Sequence, residues 1–168
     1  SGDDGYQEMI QTAVPGMEAT FGIRVPNLRS LSKDIVKHCR GHREQLLNLV
    51  EDVWRQPSRE HKLVALFIAF YGKMPPEQGW ALAQRLIPDI SNWEVCDQLC
   101  LSLTKPALSK DADLFDTLEE WILAENFWRR RVALVTAAII RKPAFDDGTA
   151  RELDQRALQM CLYAINDP

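Results

Sequence analysis

The sequence predicts an all-α fold in which two-helix repeats stack into an α-solenoid, a superhelix of helix pairs. Three observations predict it. Apolar residues recur at helical spacing along nearly the whole chain, and the alternating runs that a half-buried strand needs are missing. Prolines stand where those periodic stretches begin or end. Helix starts expected near Ser58, Ser91 and Asn126 recur at roughly 34 residues, a period that two-helix repeats use.

Taken in order, residues 6 to about 14 form a short amphipathic helix stopped by Pro15-Gly16, and Phe21-Gly22-Ile23-Arg24-Val25 is an apolar connection. Pro26 suits a first helical position, and Leu28, Leu31, Ile35 and Val36 supply the apolar face of a helix ending near Gly41. Arg24, Arg29, Lys33 and Lys37 give it a basic flank. The next helix carries Leu46, Leu47, Val50 and Trp54 inward, and Pro57 closes it. Ser58 caps a helix that is apolar at nearly every position over 63–71 and should be buried on most sides. Pro75-Pro76 starts another with Trp80, Ala83, Leu86 and Ile87 inward.

Ser91 followed by Glu94 reads as a capping box that fixes the phase of the following helix. In that phase Val95, Leu99 and Leu103 share the apolar stripe. Trp93, Asp97 and Cys100 fall to one side of it, which puts an indole and a carboxylate together at the edge of the core. After a connection through Pro106 and Ser109, residues 113–123 carry Leu114, Leu118, Trp121 and Ile122. Asn126 caps a helix lined by Trp128, Val132, Val135 and Ile139, and Lys142-Pro143 breaks it. Thr149 and Glu152 form a second capping box that opens a final helix through Leu153, Ala157, Met160 and Cys161.

The 168 residues suffice for one domain with a sizeable core, expected over 1–168. No apolar run reaches membrane-spanning length. The acidic start Ser1-Gly2-Asp3-Asp4-Gly5 lacks a signal-peptide core, its Ser-Gly fits a cloning remnant, and a cytoplasmic protein is expected. Cys39, Cys96, Cys100 and Cys161 have neither zinc-site nor disulfide spacing and are expected as reduced, buried thiols, while His38 and His42 are expected as helix-end side chains, with no metal. A net charge of -4 argues against a protein that coats nucleic acid non-specifically. Charge is nevertheless uneven. Residues 126–142 contain Arg129, Arg130, Arg131, Arg141 and Lys142 and no acid. Stacked repeats would make the helices starting near Ser91 and Asn126 neighbours, so that Trp93, Asp97 and Arg131 converge on one groove. For Arg129, Arg130 and Arg131 a solvated helix face with one ion pair to a neighbour, with Asp97 as a candidate, is the alternative.

Three stretches, Phe21-Gly-Ile-Arg-Val-Pro-Asn-Leu-Arg29, Asn92-Trp-Glu-Val-Cys-Asp97 and Asn126-Phe-Trp-Arg-Arg-Arg-Val-Ala-Leu134, in that order and separation, resemble the AlkD-like DNA alkylation repair family. The resemblance covers the chain from about Phe21 onward and implies a HEAT-like repeat solenoid. It also implies a DNA glycosylase, a hydrolase that removes cationic alkylpurines such as 3-methyladenine and 7-methylguanine from duplex DNA without drawing the base into a pocket. Trp93 and Asp97 match the family's catalytic aromatic and aspartate, and Arg131 its motif arginine. Arg131, Arg130, Arg129 and Arg29 are the expected DNA-binding residues, with no cofactor and a monomeric chain. The family carries a further tryptophan on a later helix, whereas this chain stops at Asn166-Asp167-Pro168, so either the domain is truncated there or its groove is incomplete. The alternative function is a non-catalytic helical-repeat module that binds DNA or a protein.

Overall fold

The structure, a computed structural model, describes residues 3–17, 19–39, 41–140 and 145–165. Among them every regular element is helical, as the periodicity predicts. In chain order these are α1 (Asp4–Ala13), α2 (Val25–His38), α3 (Arg43–Trp54), α4 (Arg59–Tyr71), α5 (Pro76–Leu86), α6 (Trp93–Leu99), α7 (Lys105–Leu108), α8 (Leu114–Trp121), α9 (Phe127–Ile139) and α10 (Asp147–Ala164). The Lys142-Pro143 break, Arg141, the chain end after Ile165 and the Ser1-Gly2 start lie outside the described residues.

The 34-residue spacing recurs in the caps. Ser58, Asn92 and Asn126 each accept a hydrogen bond from the backbone N–H three residues on, that of His61 at 3.3 Å, Val95 at 3.0 Å and Arg129 at 2.9 Å. A side-chain oxygen there satisfies one of the N–H groups that a helix start leaves without an intrahelical partner. Leu63, Asp97 and Arg131 each stand five residues after their cap.

The chain divides into two compact units, Ser1–Met74 with Ser91–Gln98, and Pro75–Ile90 with Leu99–Pro168. In the first, α4 packs against both α2 and α3 and is buried from Leu63 through Ala69. The face of α2 differs from the expectation. Leu28 and Ser32 are buried and Leu31 is exposed, because the Ser32 hydroxyl donates to the Leu28 carbonyl at 2.8 Å and enters the core already satisfied. Pro26 occupies the second helical position rather than the first.

In the second unit Trp80 of α5 stacks on Trp121 of α8, with ring centroids 5.1 Å apart and planes 10° from parallel. Cys100 to Thr104 forms a π-helical turn, in which the Lys105 N–H bonds the Cys100 carbonyl. The chain therefore stays helical through α7, where the sequence suggested a connection. Pro106 has no N–H to offer and the wider turn absorbs its loss. Cys100 Sγ lies 3.8 Å from the Val132 carbonyl and the Thr104 and Thr136 hydroxyls are 2.6 Å apart, so two helical runs lie side by side, offset by 32 residues in both contacts. These contacts turn the buried face of α9 to Val132, Ala133, Thr136 and Ala137, away from the expected stripe through Val135 and Ile139. Cys100 is fully buried rather than at the core edge, Cys161 is exposed and Cys39 is half-buried.

The start of α10 also corrects the expectation. Asp146, not Thr149, is the cap: its carboxylate accepts the Gly148 N–H at 2.9 Å, the Thr149 N–H at 3.1 Å and the Thr149 hydroxyl at 2.7 Å. These three donors hold the carboxyl of Asp146 below its ordinary range, the Thr149 hydroxyl most of all. Glu152, the supposed partner in the box, instead pairs with Arg156 one turn on.

Candidate functional site

The first turns of α6 are set by two competing demands on Glu94. A capping box would send its carboxylate back to the backbone of Ser91. The carboxylate instead meets Arg59, whose Nε and Nη2 donate to its two oxygens at 2.6 and 2.7 Å. A bidentate, charge-assisted pair outweighs one exposed capping bond, so the cap passes to Asn92, itself buried. The helix begins one residue later than the box implies, with the side-chain phase unchanged. Val95 and Cys96 are buried, Trp93 is 41% exposed and Asp97 is half-buried, which places the indole and the carboxylate at the edge of the core on one helix face.

The indole is also anchored. Trp93 Nε1 donates to the carbonyl of Ala13, the last residue of α1, at 3.1 Å. That carbonyl is one of those a helix end leaves unpaired. The Pro15-Gly16 turn that follows α1 passes directly against the lead into α6. Gly16 has φ +85, and a Cβ there would fall 2.2 Å from the Ser91 carbonyl oxygen, so glycine is required on both counts.

Behind this face lies a buried polar cluster that the sequence reading did not single out. The Arg59 side chain is fully enclosed. Besides Glu94 it donates from Nη1 to the Ile23 carbonyl and to Glu60 Oε1, both at 3.2 Å, and from Nη2 to the Tyr6 hydroxyl at 3.5 Å. Glu60 in turn accepts the Thr20 hydroxyl at 2.7 Å, the Phe21 N–H at 3.0 Å and the Ile23 N–H at 3.4 Å. Burial pushes the Glu60 carboxyl up, but the Thr20 hydroxyl, the Phe21 N–H and the Arg59 charge together hold it below its ordinary value. Burial disfavours the Arg59 cation, and Glu94 more than compensates, raising its pKa. The Phe-Gly-Ile-Arg-Val connection is thus a strap clamped by the first turn of α4. The available signal was Arg59-Glu60 just after a cap, at the head of an otherwise apolar helix.

The predicted arginines take different places. Arg29 of α2, in the first unit, lies over the Phe67 ring at 4.7 Å. Arg129, Arg130 and Arg131 occupy the first turns of α9 in the second unit. Arg129 lies over Trp121 at 5.8 Å, and its buried Nε has no hydrogen-bond partner. Arg130 donates from Nη1 to the Ala124 and Glu125 carbonyls at 2.9 and 2.8 Å, closing the turn after α8. Arg131 is half-buried beside the fully buried Val132. The structure therefore brings Trp93 and Asp97 onto one face and places the three consecutive arginines together on another helix.

Against this geometry, a family model described as DNA alkylation repair enzyme matches residues 3–165. The chain belongs to the DNA alkylation repair enzyme family. No curated protein matches it. The match takes in α6 and α9, so Trp93, Asp97 and Arg131 all fall within the matched residues. Membership supports a role in alkylation repair with DNA as the substrate. Among the described residues no group of three or more His, Cys, Asp or Glu is placed to hold a metal ion, and no helix is long and apolar enough to cross a membrane.

Proposed function

We propose that the chain is a DNA glycosylase that hydrolyses the N-glycosidic bond of cationic N3- and N7-alkylated purines in duplex DNA. The observation that carries this reading is the shared face of Trp93 and Asp97, with the indole exposed and its N–H already committed to Ala13. A cationic alkylpurine is a good leaving group and needs no proton from the enzyme. The transition state instead gathers oxocarbenium charge on the deoxyribose. Asp97 supplies the compensating negative charge and orients the attacking water, the electrostatic logic of glycoside hydrolysis. The π-face of Trp93 receives the sugar or the charged lesion.

Arg131 holds backbone phosphate, assisted by its neighbour Arg129, and Arg29 is a separate phosphate contact on the first unit. Arg130, tied to two carbonyls, orders the turn that leads into Arg129 and Arg131. The reading extends to a HEAT-like repeat solenoid, supported by the capped helix starts at Ser58, Asn92 and Asn126, forming a single domain that acts as a cytoplasmic monomer without a cofactor.

The test is release of free 7-methylguanine from methylated duplex DNA. Asp97→Asn should slow it about 10²- to 10³-fold, the size expected when one electrostatic stabiliser is removed, with circular dichroism unchanged. A folded wild-type chain that binds methylated duplex at low salt and releases no base sinks the reading and favours a non-catalytic DNA-binding module.

A further inference from the structure

We propose that Arg59 is the positioning residue of the Trp93 and Asp97 pair, fixing both the helix turn from which the pair projects and the helix end that holds the Trp93 indole. The roles of Trp93 and Asp97 rest on the glycosylase reading above. The positioning itself does not.

A guanidinium has five N–H donors in one plane, and all five of Arg59 are used. Two meet Glu94, one Ile23, one Glu60 and one Tyr6. These partners stand on separate stretches of the first unit: α6, the strap before α2, the first turn of α4 and α1. The contacts close a ring. Arg59 grips Glu94, which neighbours Trp93. Trp93 donates to Ala13 at the end of α1, and Tyr6 of α1 returns to Arg59.

Trp93 is thus held at both ends by one side chain, through its own helix turn and through the carbonyl that receives its N–H. Asp97, one turn further along α6, inherits the same placement. A buried ion pair contributes little net stability over a well-packed apolar pair. What the planar fork adds is one allowed geometry for two converging backbones.

The test separates geometry from stability. Arg59→Lys keeps the charge and removes the fork. The triple substitution Arg59→Met, Glu60→Gln and Glu94→Leu removes all three charges, keeps an acceptor for the Thr20 hydroxyl and an apolar filling, so it carries the test should Arg59→Lys fail to fold. Each variant is compared with its own Trp93→Phe form, so that the difference isolates the Trp93 fluorescence. In a variant with wild-type cooperative unfolding, the expected result is stronger acrylamide quenching and a red-shifted emission of Trp93. The expected kinetic result is a fall in kcat of about tenfold or more with KM for methylated duplex little changed. Wild-type quenching and wild-type kcat in such a variant overturn the proposal. Raised Trp93 quenching in variants of a chain that releases no base at all supports the positioning and retires only the glycosylase reading.

Discussion

Glu60 is a carboxylate kept charged inside a protein by donors on a neighbouring strap. Its nearest donor is the buried Thr20 hydroxyl, which also accepts the Gly22 N–H at 3.2 Å, so one side chain ties the strap to itself and to α4. Because the folded pKa of Glu60 lies below its ordinary value near 4.5, its contribution to stability is fully present above that value and fades as pH falls through the lower, folded one. Thr20→Val should therefore cost about 1–3 kcal/mol at pH 7, the cost of a lost hydrogen bond to a buried charge. The difference from wild type should shrink as pH falls through the lowered folded pKa of Glu60. Urea unfolding of the two proteins over a pH series descending from 7 measures it; a gap that stays constant down to acid unfolding would show that Thr20 acts by packing alone. This cluster was illegible in the sequence for a physical reason. Arg and Glu at a helix start are ordinarily solvated or aligned with the helix dipole, and only the meeting of α1, the strap and α6 encloses them. The edge placement of Trp93 and Asp97, by contrast, follows from spacing alone and was readable.

At the scale of the element, helix starts decide how well a chain can be read. Ser58 and Asn126 were legible because each is the sole good capping residue at its helix start. At Ser91-Asn92 two candidates stood side by side, and the glutamate that favoured Ser91 was claimed by a partner 35 positions away in sequence. Local rules cannot see such a partner. The 34-residue register, applied strictly, selects Asn92. Faces of helices fail similarly: Ser32 and Thr136 lie one turn from Leu28 and Val132, and their polarity, not their spacing, keeps them out of the expected stripes; both are buried and each is satisfied within its own unit. The caps themselves are testable. Asn126 is exposed and its only described side-chain bond is to the Arg129 N–H, so Asn126→Ala should lower stability by about 1 kcal/mol. Asn126→Asp should restore it. The check is the urea midpoint at constant slope. If DNA binding falls much more than stability, the cap is presenting the arginines of α9 as well as closing the helix.

At the scale of the whole molecule, a chain of net charge -4 that acts on a polyanion has to concentrate its attraction locally. In the proposed reading the run Arg129-Arg130-Arg131, in a stretch without acids, does so. Each phosphate neutralised by a protein cation releases counterions and adds about 0.9 to the slope of log K against log salt. A basic helix on an acidic molecule should engage few phosphates, so the slope of the wild-type chain should be shallow and binding to unmodified duplex weak at physiological salt. Arg131→Ala should weaken binding to methylated and unmethylated duplexes alike and reduce the slope by about 1. Asp97→Asn should leave the slope unchanged, or tighten binding slightly by removing a negative charge from the face proposed to meet DNA. Fluorescence anisotropy titrations over a range of salt concentrations distinguish these outcomes. An Arg131→Ala variant with the wild-type slope would mean that Arg131 makes no phosphate contact and that its part in the chain's affinity for DNA is indirect.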